Sequence, residues 1–391
     1  MIKIKTKNLY WSIFAMIFLI ALFEPRMFEE DKYEFLDLIF TILKILVSVV
    51  TIFLAWYLKI KININELMFA ILITGVSTIY NNSSFSEYIR SYVYIIVTLI
   101  FLGVGMSLST TSTISAIGQV FCFFNIINTI TVILFPDGMY RSNIGFTKNW
   151  FLGYKNVATP LVITGLVCLV YDSVCRKKRI SLYVIINIAI SILYMIMSGS
   201  STGILAIITL LVFSLITAKQ KKINAKVLTL FCIILYLIII FVRIENVLPF
   251  LGNLFGLFGK GFTFSGRTKL WDFLITDLNE YIITGNGCLT SKEYIQRTGI
   301  WWAVHTHSYY LQMLYEGGII SELLFFLFLE RCSSTFDRTH SCKESGIIFW
   351  GFIAFLVAFQ MECYAYVSAF YILTYLMLNI GKIEYEYLKF K

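Results

Sequence analysis

Long apolar runs separated by short polar turns recur along the whole chain. A membrane-spanning helix needs about 20 mainly apolar residues, with a range near 17–25. Twelve segments meet or approach that length, at 9–23, 35–58, 65–80, 91–108, 114–135, 157–172, 180–197, 202–218, 226–243, 308–329, 345–361 and 364–381. No repeat, low-complexity tract or linker divides them. The pattern predicts one all-α integral membrane domain over 1–391, polytopic, with about twelve spanning helices. The first run follows a basic start, has no small-residue cleavage site and precedes Glu24-Pro25-Arg26, so it is expected to be a retained span. Two polar stretches stand out, 136–156 and the larger 244–307. Inside the second, Ser265 to Trp271 has the features of a helix start, with Ser265 or Thr268 as cap. Leu270, Leu274, Leu278 and Tyr281 continue it as an apolar stripe, and Gly285-Asn286-Gly287 would end it. The expectation is an interfacial helix between spans nine and ten, lying on the outer membrane face and held by Trp271 and Phe273.

Composition agrees. Hydrophobic residues make up 58%, charged residues 14%, and the mean hydropathy is +0.79. No soluble core absorbs that surplus, which excludes a cytosolic enzyme, a nucleic-acid-binding protein and a disordered chain, and makes the lipid bilayer a partner. The net charge of +9 is explained by its placement. With the N-terminus inside, the inner loops hold Lys3, Lys5, Lys7, Lys59, Lys61, the run Arg176 to Arg179, Lys219, Lys221, Lys222, Lys226, Arg331, Arg338, Lys343, Lys382, Lys389 and Lys391. That bias predicts both termini in the cytoplasm. The eight cysteines have no metal-like spacing and read as small apolar residues, with Cys332 and Cys342 assigned to one polar loop.

The candidate chemistry lies where the larger loop enters the tenth span, at Trp301-Trp302-Ala303-Val304-His305-Thr306-His307-Ser308. Imidazole is the usual general base near neutral pH. Glu316, nine residues further on, is costly in lipid unless it faces the bundle. Gly317-Gly318 would let another helix approach closely. A metal site on His305, His307 and a carboxylate competes with this reading, but a spacing of two does not share a helix face. Histidines that only hydrogen-bond at the interface are the other alternative. Trp301 and Trp302 could stack on sugar rings or anchor the loop.

This segment resembles the histidine motif of the O-antigen ligase and O-antigen polymerase superfamily, through His307-Ser308, Tyr310, Leu311, Leu314, Glu316, Gly318 and Ile319. Ser265-Gly266-Arg267 with Leu270-Trp271 and Gly285-Asn286-Gly287 is a second similarity. Arg141, Gly145 and Lys155-Asn156 are a third. The turn Ser198-Gly199-Ser200-Ser201-Thr202 lacks the arginine many members carry there, and Ser321 stands where glycine is usual. The resemblance implies a membrane glycosyltransferase acting on the outer face of a bacterial plasma membrane, with a glycan donor carried on a polyprenyl diphosphate. It implies Arg141 and Arg267 on the diphosphate and His307 as the base. His305 and Glu316 would orient that base, and no metal or other cofactor would be needed. Fixed cations would stabilise the charge growing on the leaving diphosphate, and arginine's fork suits phosphate oxygens. A chain rich in Ile, Lys, Asn and Phe fits a low-GC bacterium without lipid A, which favours a repeat-unit polymerase of capsule or O-antigen. A ligase acting on a lipid or protein acceptor is the alternative, and a flippase a lesser one. A chain-length regulator and a flippase are then expected as partners.

Overall fold

The computed structural model describes residues 2–141, 147–177, 179–217, 224–242, 266–278 and 280–389. Each apolar segment lies in a helix: α1 Ile2–Leu22, α2 Glu34–Tyr57, α3 Asn65–Tyr80, α4 Phe85–Leu108, α5 Thr110–Leu134, α6 Thr159–Lys177, α7 Leu182–Ser198, α8 Ser201–Thr217 and α9 Ala225–Leu237. Three polar or amphipathic helices are added, α10 Arg267–Leu278, α11 Ser291–Thr298 and α15 Ile380–Leu388, and α12 Tyr309–Thr339, α13 Gly346–Ala358 and α14 Ser368–Leu378 complete the apolar set. Among the described residues six helices are long and apolar enough to cross a membrane: α2, α4, α5, α6, α9 with the π turn Ile238–Val242, and α12. Others are shorter. The 16 residues of α3 rise only about 24 Å, less than the ~30 Å of a hydrocarbon core.

The centre of the bundle is α13 and α14, whose Phe349, Phe352, Phe355, Phe370 and Leu373 are fully buried. Around them α3 runs along α12, α5 along α6, and α8 along α13. At the other extreme α2 buries only Val47 and Thr51 and turns Phe35, Ile42, Val49 and Phe53 outward. Water would not tolerate such an exterior, whereas lipid solvates it. The charge inside α2 is neutralised locally: Lys44 pairs with the buried Glu24 at 2.5 Å.

Three expectations change. The fold is not purely helical, because the 136–156 loop carries a small antiparallel sheet in the order β1 Tyr140–Arg141, β2 Lys148–Trp150, β3 Gly153–Tyr154. Strands of two or three residues have no legible period. Polar contacts hold them: the Trp150 indole donates to the Phe135 carbonyl at 2.8 Å, and Asn128 Oδ1 accepts from the Leu152 amide at 2.8 Å. Second, α12 runs ten residues beyond the expected 329, so Cys332 is buried inside a helix and not in a polar loop. Third, α10 does not lie on the membrane through Trp271. Trp271, Leu270, Leu274 and Leu278 are all buried against the protein, while Phe273 stays partly exposed. Thr268 lies inside the helix, Ser265 falls outside the described residues, and Tyr281 lies in a turn beyond the helix.

Gly285-Asn286-Gly287 has a different role from ending that helix. At Gly318 the backbone leaves helical geometry (φ 72°, ψ −179°) and breaks α12. The chain from Ile282 to Gly287 fills the break: the Asn286 and Gly287 amides donate to the carbonyls of Tyr315 and Glu316 at 2.7 and 2.9 Å, and the Ile319 amide donates to Ile282 at 2.8 Å. Groups freed by a helix break must be satisfied when buried. A side chain on Gly318 would place its Cβ 2.1 Å from the Ile283 carbonyl oxygen. Close helix approach therefore applies to Gly317, which faces Thr74 of α3, and not to Gly318.

Candidate active site

The connections after α1, α5 and α13 and the stretch before α12 line one cavity of about 890 Å³, whose lining includes Arg26, Asn149, Asn156, Arg267, His307 and Glu362. Trp301, Trp302, His305 and Glu316 line it too. Arg141 does not. It sits exposed at the end of β1, and Gly145 lies outside the described residues.

The histidine loop is pinned from three sides. The Trp271 indole donates to the Thr306 carbonyl at 2.9 Å. Gln312, one turn into α12, accepts the Thr306 amide at 3.2 Å. The Phe359 carbonyl, at the end of α13, accepts from the Tyr309 amide at 3.0 Å and the Ser308 hydroxyl at 3.2 Å. Between these anchors His307 takes a left-handed conformation (φ 54°), uncommon for a residue with a side chain and held only where surroundings impose it. Its amide donates to His305 Nδ1 at 3.0 Å, which puts the proton of a neutral His305 on Nε2. The two rings lie 4.1 Å apart, and Trp302 meets His307 edge-on at 5.5 Å. Trp301 is 64% exposed.

Both ring nitrogens of His307 are shielded and make no hydrogen bond among the described residues. Burial, then His305, then the charge of Arg267 push His307 well below the usual histidine range, against a weaker opposing effect of the Trp302 carbonyl. Burial and Arg267 push His305 down to about 4. Both rings are therefore neutral at pH 7. Glu316 has no hydrogen bond to either histidine among the described residues. It accepts from the Gln312 side chain and from Cys288 Sγ, the latter at 3.4 Å. Since Gln312 also holds Thr306, Glu316 acts on the loop through an intermediary. Cys288, which the sequence placed in an outer loop, is buried.

Arg267 opens α10, and its Nη2 donates to Glu362 Oε1 at 2.5 Å. Glu362 is buried and also accepts from Asn156 Nδ2 at 2.6 Å. Asn156 Oδ1 in turn accepts from the Ser200 hydroxyl at 2.8 Å. The arginine-free turn before α8 thus reaches Arg267 through two polar side chains. Glu362 was missed from sequence. Its signal was a carboxylate in the two-residue gap between the last two apolar runs. Arg26, Tyr154, Tyr364 and Tyr366 on the cavity wall carried no motif.

The arrangement offers a neutral imidazole, a guanidinium held by a buried carboxylate, and aromatic walls inside one polar cavity sunk among apolar helices. Neither the curated proteins nor the solved structures include a significant match to the chain. Residues 186–326 match the family model described as O-antigen ligase, a span that holds Ser200, Arg267, His305, His307 and Glu316 but neither Asn156 nor Glu362. That match supports the O-antigen ligase and polymerase superfamily as the family of this chain, and with it a membrane glycan-transfer role.

Proposed function

We propose that the protein is an inverting, metal-independent glycosyltransferase that polymerises polyprenyl-diphosphate-linked repeat units into capsule or O-antigen on the outer face of a bacterial plasma membrane. One observation carries the reading: Arg267 and His307 line a single cavity, close enough for the arginine's charge to depress the histidine. The donor diphosphate displaces Glu362 from part of the Arg267 fork, and the guanidinium stabilises the charge that builds on the leaving group. His307 accepts the proton of the attacking sugar hydroxyl. Its nitrogens are buried, so the ring must turn to meet the hydroxyl. The cost is the contact with the Trp302 carbonyl and packing against the Trp302 and His305 rings. His305 orients it, and Glu316 holds the loop through Gln312. The leaving diphosphate lies opposite the attacking hydroxyl, hence inversion. Trp301 and Trp302 stack on sugar. Arg141, exposed beside the cavity-lining Tyr140, is the second candidate for the diphosphate.

Four connections lining one cavity, those after α1, α5 and α13 and the stretch before α12, support a site on one face of the membrane, and the bias of Lys and Arg toward the other loops supports twelve crossings with both termini in the cytoplasm. A flippase and a chain-length regulator are the partners this role implies. Ligation to a lipid or protein acceptor is the second reading, supported by the description of the matched family. The purified protein, given lipid-linked repeat units alone, should produce a ladder of longer glycans, unaffected by chelator. Single transfers to a different acceptor, with no ladder, mean ligase. No transfer of either kind, or activity lost to chelator and restored by a divalent ion, defeats the proposal.

A further inference from the structure

The other end of the cavity takes no part in that mechanism. There Arg26 Nη1 and Arg90 Nη2 lie 3.4 and 3.7 Å from Glu29 Oε2. Glu30, Glu87, Tyr140 and Tyr366 line the same end. Arg26 is set deliberately. It starts a single 3-10 turn, Arg26–Glu29, after Pro25, and the next amide, Met27, donates to the Phe151 carbonyl at 3.2 Å. The arginine then lies along the β2–β3 turn at Gly153. Gly153 has φ 106°, and a Cβ there would come within 3.2 Å of Arg26 Cβ, so only glycine leaves the arginine its place. Protein surrounds Arg26, yet 34% of its side chain is open, and it is the cavity that it faces. Its Nε is buried without a hydrogen-bond partner among the described residues.

The chemistry selects the ligand. Two arginines stand against three carboxylates, so a diphosphate would meet as much repulsion as attraction. A prenyl tail would take these charged groups out of water and offer them no hydrogen bond in return. A saccharide suits them. Its hydroxyls donate to carboxylates and accept from guanidinium groups, and its C–H faces lie against tyrosine rings. We propose that this end is a glycan subsite centred on Arg26, which reads sugars beyond the transferred linkage while Arg267 holds the diphosphate. The inference rests on the glycosyltransferase reading and names where its substrate's glycan is recognised.

The test compares two probes on the purified full-length protein: lipid-linked repeat units extracted from the native host, and undecaprenyl diphosphate without sugar. Arg26→Ala should weaken the glycolipid about tenfold or more, the loss expected for charged hydrogen bonds, and leave the bare diphosphate lipid unchanged. Arg267→Ala should weaken both. Retained binding of the bare lipid shows that the variant is folded. If Arg26→Ala does not fold, Arg26→Lys keeps the charge without the fork and should still lose glycolipid alone. Equal loss of both probes, or loss of neither, overturns the subsite. So does a wild-type protein that gains no affinity from the glycan. A wild-type protein that binds neither probe overturns the glycosyltransferase reading itself, and the subsite with it.

Discussion

The two ends of the cavity are built differently. At the Arg267 end one guanidinium is held by a buried carboxylate and two neutral imidazoles stand nearby. At the Arg26 end cations and carboxylates are interleaved. The first draws His305, His307 and Arg267 from the stretch that matches the family model, while the second comes from residues outside it, its charges all before it and Tyr366 after it. A single well-placed cation suits a step in which negative charge develops. Interleaved donors and acceptors suit a neutral, hydroxyl-rich ligand. The difference teaches that the family match covers the Arg267 end of the cavity and is silent about the Arg26 end.

The sharpest break in this comparison is His307→Ala. It should lower kcat by about 10²–10⁴, the usual contribution of a general base, while lipid-linked substrate still binds. His307→Gln should not restore the rate, because an amide cannot take the proton, and His305→Ala should cost less. Ladder assays at saturating substrate decide it, and near-normal rate in His307→Ala removes the base assignment.

Arg267→Ala comes next, with a loss of about 10²–10³ in kcat by analogy with removing one transition-state donor. It also leaves Glu362 buried with only part of its pairing, so thermal stability should fall, and adding Glu362→Gln should recover stability but not rate. Arg141→Ala, made alongside, measures whether this exposed arginine contributes at all.

The pH dependence should separate free from loaded enzyme. In the free enzyme His307 lies well below its usual range, so kcat/KM should stay level as pH falls through 6.5 and decline only at lower pH. A bound diphosphate offsets the charge of Arg267 and raises the histidine, so the acid limb of kcat should sit at higher pH than that of kcat/KM. Removing Arg267 should move the kcat/KM limb upward. Stability follows the same linkage: below about pH 6.5 the unfolded histidines bind protons that the folded ones refuse, so stability falls as pH drops toward 4. Coincident limbs for kcat and kcat/KM would contradict this coupling.

The smallest expected effect is Trp271→Phe. It removes the bond to the Thr306 carbonyl and should cost about 1 kcal/mol of stability, with a modest loss of kcat and unchanged binding at the Arg26 end. Weaker glycan binding in this variant would mean that the two ends are not independent.

Much was legible without coordinates. The apolar runs located the helices, the polar stretches located the cavity loops, and His305, His307 and Arg267 were named from the motif and its spacing. These are local properties, because length and hydropathy decide what lipid will accept. Three features were not legible. Trp271 reads equally well as a membrane anchor or a buried donor until its neighbours are known. Gly317-Gly318 reads as a helix contact until Ile282 to Gly287 is seen to fill a break. Glu362 lies 95 positions from the arginine it holds, and Arg26 lines the cavity while Arg141 does not. The sequence by itself determined a membrane-embedded helical protein with its chemistry at one loop. Which charges share a cavity was decided only by tertiary packing, since pairing between distant residues depends on how the helices pack and not on anything periodic along the chain.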